Sequence, residues 1–342
     1  MCLIIPYRGD CFKRNYQQKG VIAILLVNGA DLSQIAEDVK YVSYWNNGPG
    51  TLTFTCSAKK AKLYDRGTEV VFTFGNANIF YGWLFKASMS RDKITYTCHD
   101  QLRYLKAQDT LIRQVETLDS FLNRVGATFG DRIRLGQVDS TEYPLSKYLF
   151  DNKTYLDMLY QSISDNLLGN GYHYTLRDNF GALDLRDTVD LRLPLIVGDK
   201  SLATEFEYAA SINDDTYNFV KVAKDNKQTG TRDTYIAEDS GNISKWGKLM
   251  IYDKVTAELN DAQLQDRANR LLVIKNRETE TLSIEAVGDA RVIGGSGVRV
   301  ILKQAGLDTW AVVDQATHNF TRDRTGKPIH TMKVNLMFGR WY

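Results

Sequence analysis

The stretch "VKYVSYWNNGPGTLTFTC" (residues 39–56) decides what kind of fold this sequence can form. In its second half Leu52, Phe54 and Cys56 are apolar, and a threonine precedes each of them. Since successive side chains of a strand point to opposite faces of a sheet, this alternation predicts a half-buried strand. The Asn, Gly and Pro residues at 46–50 predict a turn before it. The sequence therefore predicts antiparallel β structure here.

Further strands extend this antiparallel set. Residues 69–74 and 78–87 flank a predicted tight turn at "GNA", and residues 93–98 form the last predicted strand of the region. The apolar run within 21–30 follows basic residues, as in a signal peptide, but it is far too short to span a membrane. We interpret that run as a buried strand, and we expect residues 1–107 to form a first β-barrel domain.

Helical spacing replaces the strand pattern in the middle of the chain. Apolar residues at i, i+3, i+4 and i+7 predict a helix over 117–130, with Thr117 as its N-cap. A second helix is predicted over 154–171, where Gly169 occupies the expected C-cap position, and a hairpin follows it. Residues 108–200 are therefore expected to form an α/β insert.

Strands return from residue 201, and one helix interrupts them. Asn260 and Gln263 form a capping-box pattern at the start of a helix predicted to end near residue 276. A strand, an aromatic strand around Trp310 and a closing strand then repeat the order found around Trp83. This faint repetition predicts two similar β modules around the insert.

The predicted fold class is α+β, mainly β, with two antiparallel β-barrel domains and an α/β insert between them. The predicted domains are residues 1–107, 108–200 and 201–342. A chain of 342 residues is long enough for two or three packed domains.

Composition and cysteine usage limit the function classes. Counts of 43 Lys+Arg and 41 Asp+Glu give a net charge of +2, which offers no argument for nucleic acid or an anionic membrane as a partner. The cysteines are Cys2, Cys11, Cys56 and Cys98, and no pair has CxxC spacing. A zinc site or a disulfide scaffold is therefore not expected, and a reducing compartment fits this pattern.

Cys98, His99 and Asp100 stand side by side and are the residue types of a thiol hydrolase site. Because neighbouring side chains of a strand diverge, three consecutive residues cannot provide the geometry of a nucleophile, its base and an orienting group. We interpret Cys98 as a core residue and Asp100 as the cap of a turn that starts at Gln101.

The remaining candidate residues give weak signals. His173, His318 and His330 form no metal-binding motif, although the last two lie on neighbouring predicted strands and can approach each other. The glycines of 294–297 lie between two predicted strands, where a hairpin turn is expected rather than a phosphate loop. Residues 325–328 lack Walker spacing and are expected to be a loop.

Acidic pairs raise the question of glycoside hydrolysis. Asp187 with Asp190 and Asp214 with Asp215 are such pairs, but the sequence places no group beside them that marks one carboxyl as the acid. We therefore predict no catalytic, cofactor-binding or metal-binding residue.

A series of segments in fixed order carries a resemblance to a known family. They are "NNGPGTLTFTC" (46–56), "IFYGWLF" (79–85), "CHDQLRYLKAQDT" (98–110), "NKTYLDMLYQSI" (152–163), "YTLRDNFGALDLRD" (174–187), "YNFVKVAKDN" (217–226), "IAEDSGNISKWGKL" (236–249), "AQLQDRANRLLVIKN" (262–276) and the region 297–320. With these segments the chain resembles the XkdQ/YqbQ-type proteins of prophage contractile tails. The segment with Asp239, Trp246 and Gly247 is the most specific, and the first ~20 residues match least.

This resemblance implies a baseplate hub of a contractile phage tail or a phage-tail-like bacteriocin (tailocin), similar to the N-terminal part of type VI secretion VgrG spikes. Such a hub is a homotrimer whose tube-like β-barrel domains form a pseudo-sixfold ring between the hexameric tail tube above and the trimeric spike below. The implied partners are further copies of the chain, the spike protein and the tube protein, with tape-measure and LysM-type baseplate proteins as additional candidates.

The implied location is the virion, in a baseplate or tail-like particle assembled in the bacterial cytoplasm. No enzyme activity, cofactor, nucleic-acid specificity or membrane anchor is expected. Two alternatives stay open: a tail-associated cell-wall hydrolase, since some proteins of this family are labelled hydrolases, and a carbohydrate-binding tail-tip module.

Overall fold

The structure, a computed structural model, describes residues 23–198, 203–226, 230–255 and 259–339. The strands are β1 (Ala23–Val27), β2 (Ala30–Asp31), β3 (Ala36–Tyr44), β4 (Thr51–Ser57), β5 (Glu69–Phe74), β6 (Ala77–Met89), β7 (Lys93–His99), β8 (Gln108–Arg113), β9 (Leu135–Val138), β10 (Tyr148–Thr154), β11 (Tyr174–Asp178), β12 (Leu183–Asp187), β13 (Arg192–Gly198), β14 (Ala203–Ser211), β15 (Phe219–Asn226), β16 (Thr231–Glu238), β17 (Met250–Val255), β18 (Thr279–Val287), β19 (Gly297–Leu302), β20 (Leu307–Arg322) and β21 (Pro328–Met337). The helices are α1 (Leu118–Ala127), α2 (Tyr155–Asn170), α3 (Ser240–Trp246) and α4 (Asp261–Lys275). The predicted class, α+β and mainly β, is confirmed.

Most strands belong to one continuous sheet of 13 strands. Its order is β14-β18-β21-β20-β3-β4-β7-β6-β5-β1-β2, and β19 and β13 extend from β20. Smaller sheets are β10-β8, β11-β12-β9 and β16-β15-β17. The prediction of closed barrels was wrong: in the described part of the chain, no pairing joins β1 to β3 or β13 to β14. Instead, β3 pairs antiparallel with β20, and we call this ladder the seam.

The large sheet contains the same strand order twice. One set, the first module, is β3-β4-β7-β6-β5-β1, and the other, the second module, is β14-β18-β21-β20-β19-β13. When the six strands of each set are numbered along the chain, both sets have the spatial order 2-3-6-5-4-1. The repetition inferred around Trp83 and Trp310 is therefore present in the topology. One pairing differs, because β1 and β5 are antiparallel whereas β13 and β19 are parallel.

The repetition extends to single residues of the two long strands. In β6, Trp83 pairs with both neighbouring strands, and the register to β7 shifts at Phe85. In β20, Val312 pairs with both β19 and β21, and the register to β21 shifts at Asp314. The irregularity falls two residues after the doubly paired residue in both strands. Since a bulge bends a strand at a defined position, both modules bend at the same place.

The hydrophobic cores follow this organisation. Leu52, Phe54 and Cys56 are buried in the first module, as the alternation predicts. A second core lies between α1, α2 and the hairpin β11–β12, and a third lies inside the second module. A fourth core lies where α4 covers the sheet β16-β15-β17, with Leu264 packed near Val220.

The predicted helix starts are confirmed. The hydroxyl of Thr117 accepts a hydrogen bond from the backbone N–H of Ser120. Asn260 and Gln263 form the reciprocal capping box at the start of α4. A cap of this kind satisfies backbone donors that have no partner inside the helix, so it fixes where the helix begins.

Some local predictions were wrong. The C-cap of α2 is Gly171, at φ 88°, not Gly169, which packs against the ring of Tyr143 inside the helix. Residues 294–297 do not join two strands, because the preceding segment is irregular from residue 288. The short helix α3 was not predicted. The strand predicted within 21–30 is present as β1, where Leu25 and Val27 are buried but Ile24 is exposed. Residues 21 and 22 lie outside the described part, as do Cys2 and Cys11. None of the described helices is long and apolar enough to cross a membrane.

Candidate functional site

The structure separates Cys98 from His99, as predicted for neighbours on a strand. Cys98 is fully buried in the core of the first module, where burial raises the pKa of its thiol far above the usual range. His99 points to the other face, with its Nδ1 3.1 Å from the hydroxyl oxygen of Thr51 and its ring edge-on to Phe85. A protonated, enclosed thiol that faces away from the imidazole is not an activated nucleophile.

Asp100 is a cap, and it is also half of a buried pair of carboxyl groups. Its Oδ1 accepts a hydrogen bond of 3.0 Å from the backbone N–H of Leu102, and its Oδ2 accepts one of 2.7 Å from that of Gly50. Burial raises its pKa well above the usual value, and the negative charge of Asp178 raises it further. This position fixes the turn by which the chain leaves the first module.

Asp178 reaches this place from β11. Its Oδ2 accepts a hydrogen bond of 2.6 Å from the side-chain amide of Gln101, and its Oδ1 accepts one of 2.9 Å from the backbone N–H of Gly181. Burial raises the pKa of Asp178 to about 7. Sequence reasoning missed the pair because its members lie on different elements far apart in the chain.

A cavity of about 250 Å³ lies beside this pair, where three parts of the chain meet. Tyr41 of β3, Arg177 of β11 and His318 of β20 contribute to its lining. Nη1 of Arg177 lies 3.5 Å from the hydroxyl of Ser296, and its buried Nε has no hydrogen-bond partner within the described residues. We call this place the junction, since it joins both modules to the elements between them.

His318 and His330 approach each other, as their neighbouring strands predict. Nδ1 of His318 lies 2.9 Å from Nε2 of His330, and Nε2 of His318 lies 2.8 Å from the carbonyl oxygen of Val292. His173 lies elsewhere, against the ring of Trp45. Within the described residues, no group of three or more His, Cys, Asp and Glu side chains can hold a metal ion.

One member of each acidic pair weighed for glycoside hydrolysis has a structural contact. Asp187 caps a short turn by accepting a hydrogen bond from the N–H of Val189. Asp215 is paired with Lys275. These contacts hold turns and strand ends in place.

A charged cluster connects α2 to α4. Arg113, almost fully buried, donates from Nη2 to Asp165 at 3.0 Å and from Nη1 to Ser162 at 2.7 Å. Arg267 of α4 contacts the other oxygen of Asp165 at 3.4 Å and donates to Asp253 at 2.6 Å. Asp165 therefore lies between two arginines from different parts of the chain. These contacts join elements that lie far apart in the chain.

Comparison with known proteins identifies the family. A family model described as YqbQ-like matches residues 39–337. The chain belongs to the YqbQ-like family. One relative is the phage-like element PBSX protein XkdQ of Bacillus subtilis (strain 168), which is 28% identical over 316 residues that cover 90% of this chain and 93% of XkdQ.

Solved structures of other proteins have the same fold as this YqbQ-like protein. The 43 kDa tail protein of prophage MuSo2 from Shewanella oneidensis superposes with a TM-score of 0.69 at 13% identity, covering 93% of this chain and 100% of the other. A chain of the PdpA–VgrG complex of Francisella gives a TM-score of 0.55 at 11% identity, covering 93% of this chain and 52% of the other. By family and fold, the YqbQ-like chain is similar to proteins of phage tails and of a VgrG complex.

Proposed function

We propose that this protein is the hub of a contractile-tail baseplate, where it joins a hexameric tail tube to a trimeric spike. The observation that supports this most directly is the strand order that occurs twice in one chain, with the two copies joined edge to edge at the seam. A ring of three chains contains six copies of this strand order. Such a ring offers six similar edges to a hexamer while it remains a trimer.

In this proposal, the parts that occur once per chain give the ring its threefold symmetry. These are the elements from β8 to β12 and the sheet β16-β15-β17 with α4, neither of which belongs to the repeated strand order. We infer that residues 1–107 and 201–342 contain most of the two tube-like modules and that 108–200 is an insert whose last strand, β13, belongs to the second module. The fourth core, under α4, divides the last region further.

In this proposal the protein works through its interfaces and carries out no reaction. The residue types that could have formed an active site serve as core, cap and strand contacts, as for Cys98, His99 and Asp100. Its partners are further copies of the chain, the spike and the tube protein, with tape-measure and LysM-type baseplate proteins as further candidates. Its place is a phage tail or a tailocin particle, assembled in the bacterial cytoplasm.

Mass measurement tests this function. The purified protein is measured alone, with the spike protein and with the tube protein. We expect a trimer that binds one spike trimer and caps a ring of tube protein. A protein that stays monomeric and binds neither would contradict the proposal. Lysis of peptidoglycan by the purified protein, lost in Cys98→Ala or Asp187→Ala, would support the hydrolase alternative instead.

A further inference from the structure

The strand β14 lies at one end of the large sheet with an unpaired edge. It pairs with β18 over Ala203–Ser211, and no described strand pairs with its other side. Phe206, on this strand, is 41% exposed although its cross-strand neighbour Ile284 is buried in the core. An open edge of this length is a template for another strand.

A second open edge lies on β6. The first half of β6 pairs with β5 as far as Trp83, and its second half pairs with β7 on the opposite side. The side of Lys86–Met89 that faces away from β7 has no partner strand in the described part of the chain. Met89 is 58% exposed there, although it pairs with the buried Ile94.

The seam inside the chain is a template for joining these two edges. The second half of β20 pairs with β21 on one side and with β3 on the other, with Gln315 opposite Tyr44 and His318 opposite Tyr41. By strand order, β20 corresponds to β6, and β3 corresponds to β14. Strands in these two positions thus pair once within the chain, at the seam, and the second pair of such edges has no partner strand in the described part of the chain.

The registers of the two modules give the residue correspondence. His99 and Met337 are the partners of Trp83 and Val312, so these pairs occupy matching positions. Counting from them, Gln315 matches Lys86 and Thr317 matches Ser88.

The same counting matches the residues of β14 to those of β3. Tyr41 pairs with Leu52, and Tyr208 pairs with Leu282. Leu52 and Leu282 occupy matching positions, because their partners on the next strand, Cys98 and Leu336, match each other. Tyr208 therefore matches Tyr41.

We propose that β14 of one copy pairs antiparallel with the second half of β6 of another copy, in the register of the seam. Lys86 then lies opposite Ser211, Ser88 opposite Ala209, and Met89 opposite Tyr208. Because the two edges differ, the contact is head-to-tail, and it forms a closed ring when the rotation between copies closes. The number of copies, three, rests on the proposed function.

The side chains at both edges fit this pairing. Met89, Tyr208 and Phe206 all project toward the core side of their sheets, so the new ladder would cover apolar surface that is now exposed. On the other face, this register places Ser88 opposite Ala209 and Lys86 opposite Ser211.

Disulfide formation between copies tests the register. Cys2 and Cys11 are replaced by serine, and two single variants, Ser88→Cys and Ala209→Cys, are mixed and oxidised. We expect covalent dimers from the mixture and none from either variant alone. Ser88→Cys mixed with Ala210→Cys, which projects from the opposite face, is the matched control and is expected to give at least tenfold less dimer. Val42→Cys with Thr317→Cys in one chain should cross-link internally at the corresponding seam position.

A charge placed in the interface provides a second measurement. Met89→Asp is expected to weaken self-association at least tenfold in sedimentation equilibrium. Met250→Asp, at a methionine 52% exposed on β17, is the matched control and should leave self-association unchanged. Equal dimer yields from both cysteine mixtures, or unchanged association of Met89→Asp, would overturn the proposed pairing.

The outcomes separate this inference from the proposed function. A trimer that binds spike and tube but gives no Ser88–Ala209 cross-link would refute the strand pairing and leave the hub function standing. A ring cross-linked at these positions that binds neither spike nor tube would support the pairing and refute the hub function.

Discussion

The imidazoles of His318 and His330 are hydrogen-bonded to each other, with 2.9 Å between Nδ1 of the first and Nε2 of the second. Because the carbonyl of Val292 can only accept, Nε2 of His318 carries the proton that it donates there. Nδ1 of His318 is then an acceptor, and His330 donates to it. Burial lowers the pKa of both rings, so both are neutral near pH 7, and the pair lies directly beside the seam.

Protonation of this pair should destabilise the fold. Burial lowers the pKa of His330 to about 3, with a further contribution from His318, so the unfolded chain binds more protons below about pH 6.5. The contribution of His330 to stability is therefore complete above about pH 6.5 and is lost as the pH falls toward 3. In His330→Phe, which can keep the stacking on Phe320, urea unfolding between pH 7.5 and 5 should depend less on pH. An unchanged pH dependence in this variant would contradict the assignment.

The carboxyl pair at the junction should have the opposite effect. Burial raises the pKa of Asp178 to about 7, above its unfolded value of about 4, so the folded protein binds more protons between these limits. The contribution of Asp178 therefore falls as the pH rises from about 4 to 7. Asp178→Asn should remove this slope, and the change should exceed ~1 kcal/mol, since one pKa unit corresponds to about 1.4 kcal/mol. Denaturant titrations of both proteins at pH 5 and 8 measure it, and parallel curves would refute it.

Gly82 of β6 lies against the backbone of the neighbouring strand. A Cβ at this position would lie 2.3 Å from the carbonyl oxygen of His99. Gly82→Ala should therefore lower the free energy of unfolding by about 1–3 kcal/mol, as overpacking does. Gly126→Ala is the control, since a Cβ there meets Ile133 at an ordinary 3.5 Å inside α1 and alanine favours a helix by up to ~1 kcal/mol. Chemical denaturation should move in opposite directions for the two variants, and equal shifts would contradict the prediction.

Asp165 compensates the charge of Arg113, whose side chain is 1% exposed. Asp165→Ala leaves a buried guanidinium without its carboxylate and should cost about 3–5 kcal/mol. Asp225→Ala removes a carboxylate that is paired with Arg232 and Lys254 in solvent, and it should leave stability nearly unchanged because exposed ion pairs contribute little. Thermal unfolding compares the two, and a similar loss in both would argue against a special role for Asp165.

Local periodicity predicted most elements correctly. The alternation at Leu52 and Phe54 and the caps at Thr117 and Asn260 are short-range signals, and the structure contains each of them. The helix α3 was missed because it is 7 residues long and buries none of them, so it has no apolar stripe to detect. Gly169 was chosen as a cap instead of Gly171 because sequence alone does not give the sign of φ.

Long-range arrangement could not be predicted from the sequence. The carboxyl groups of Asp100 and Asp178 are brought together by the packing of the first module on β11, and no local pattern encodes that contact. The barrel prediction failed for a related reason. Alternating residues specify which face of β3 is buried, but they do not specify whether its edge pairs with β1 or with β20.

The seam also has a mechanical consequence. Its strands run antiparallel, with Val39 to Tyr44 opposite Phe320 to Gln315. A pull that drags the two modules past each other along the strand direction would strain all of these hydrogen bonds together, whereas a pull at one end of the ladder would open them one after another. Resistance to the first kind of pull is therefore much greater. A protein built this way withstands sudden loads along its strands and yields first when its modules are peeled apart.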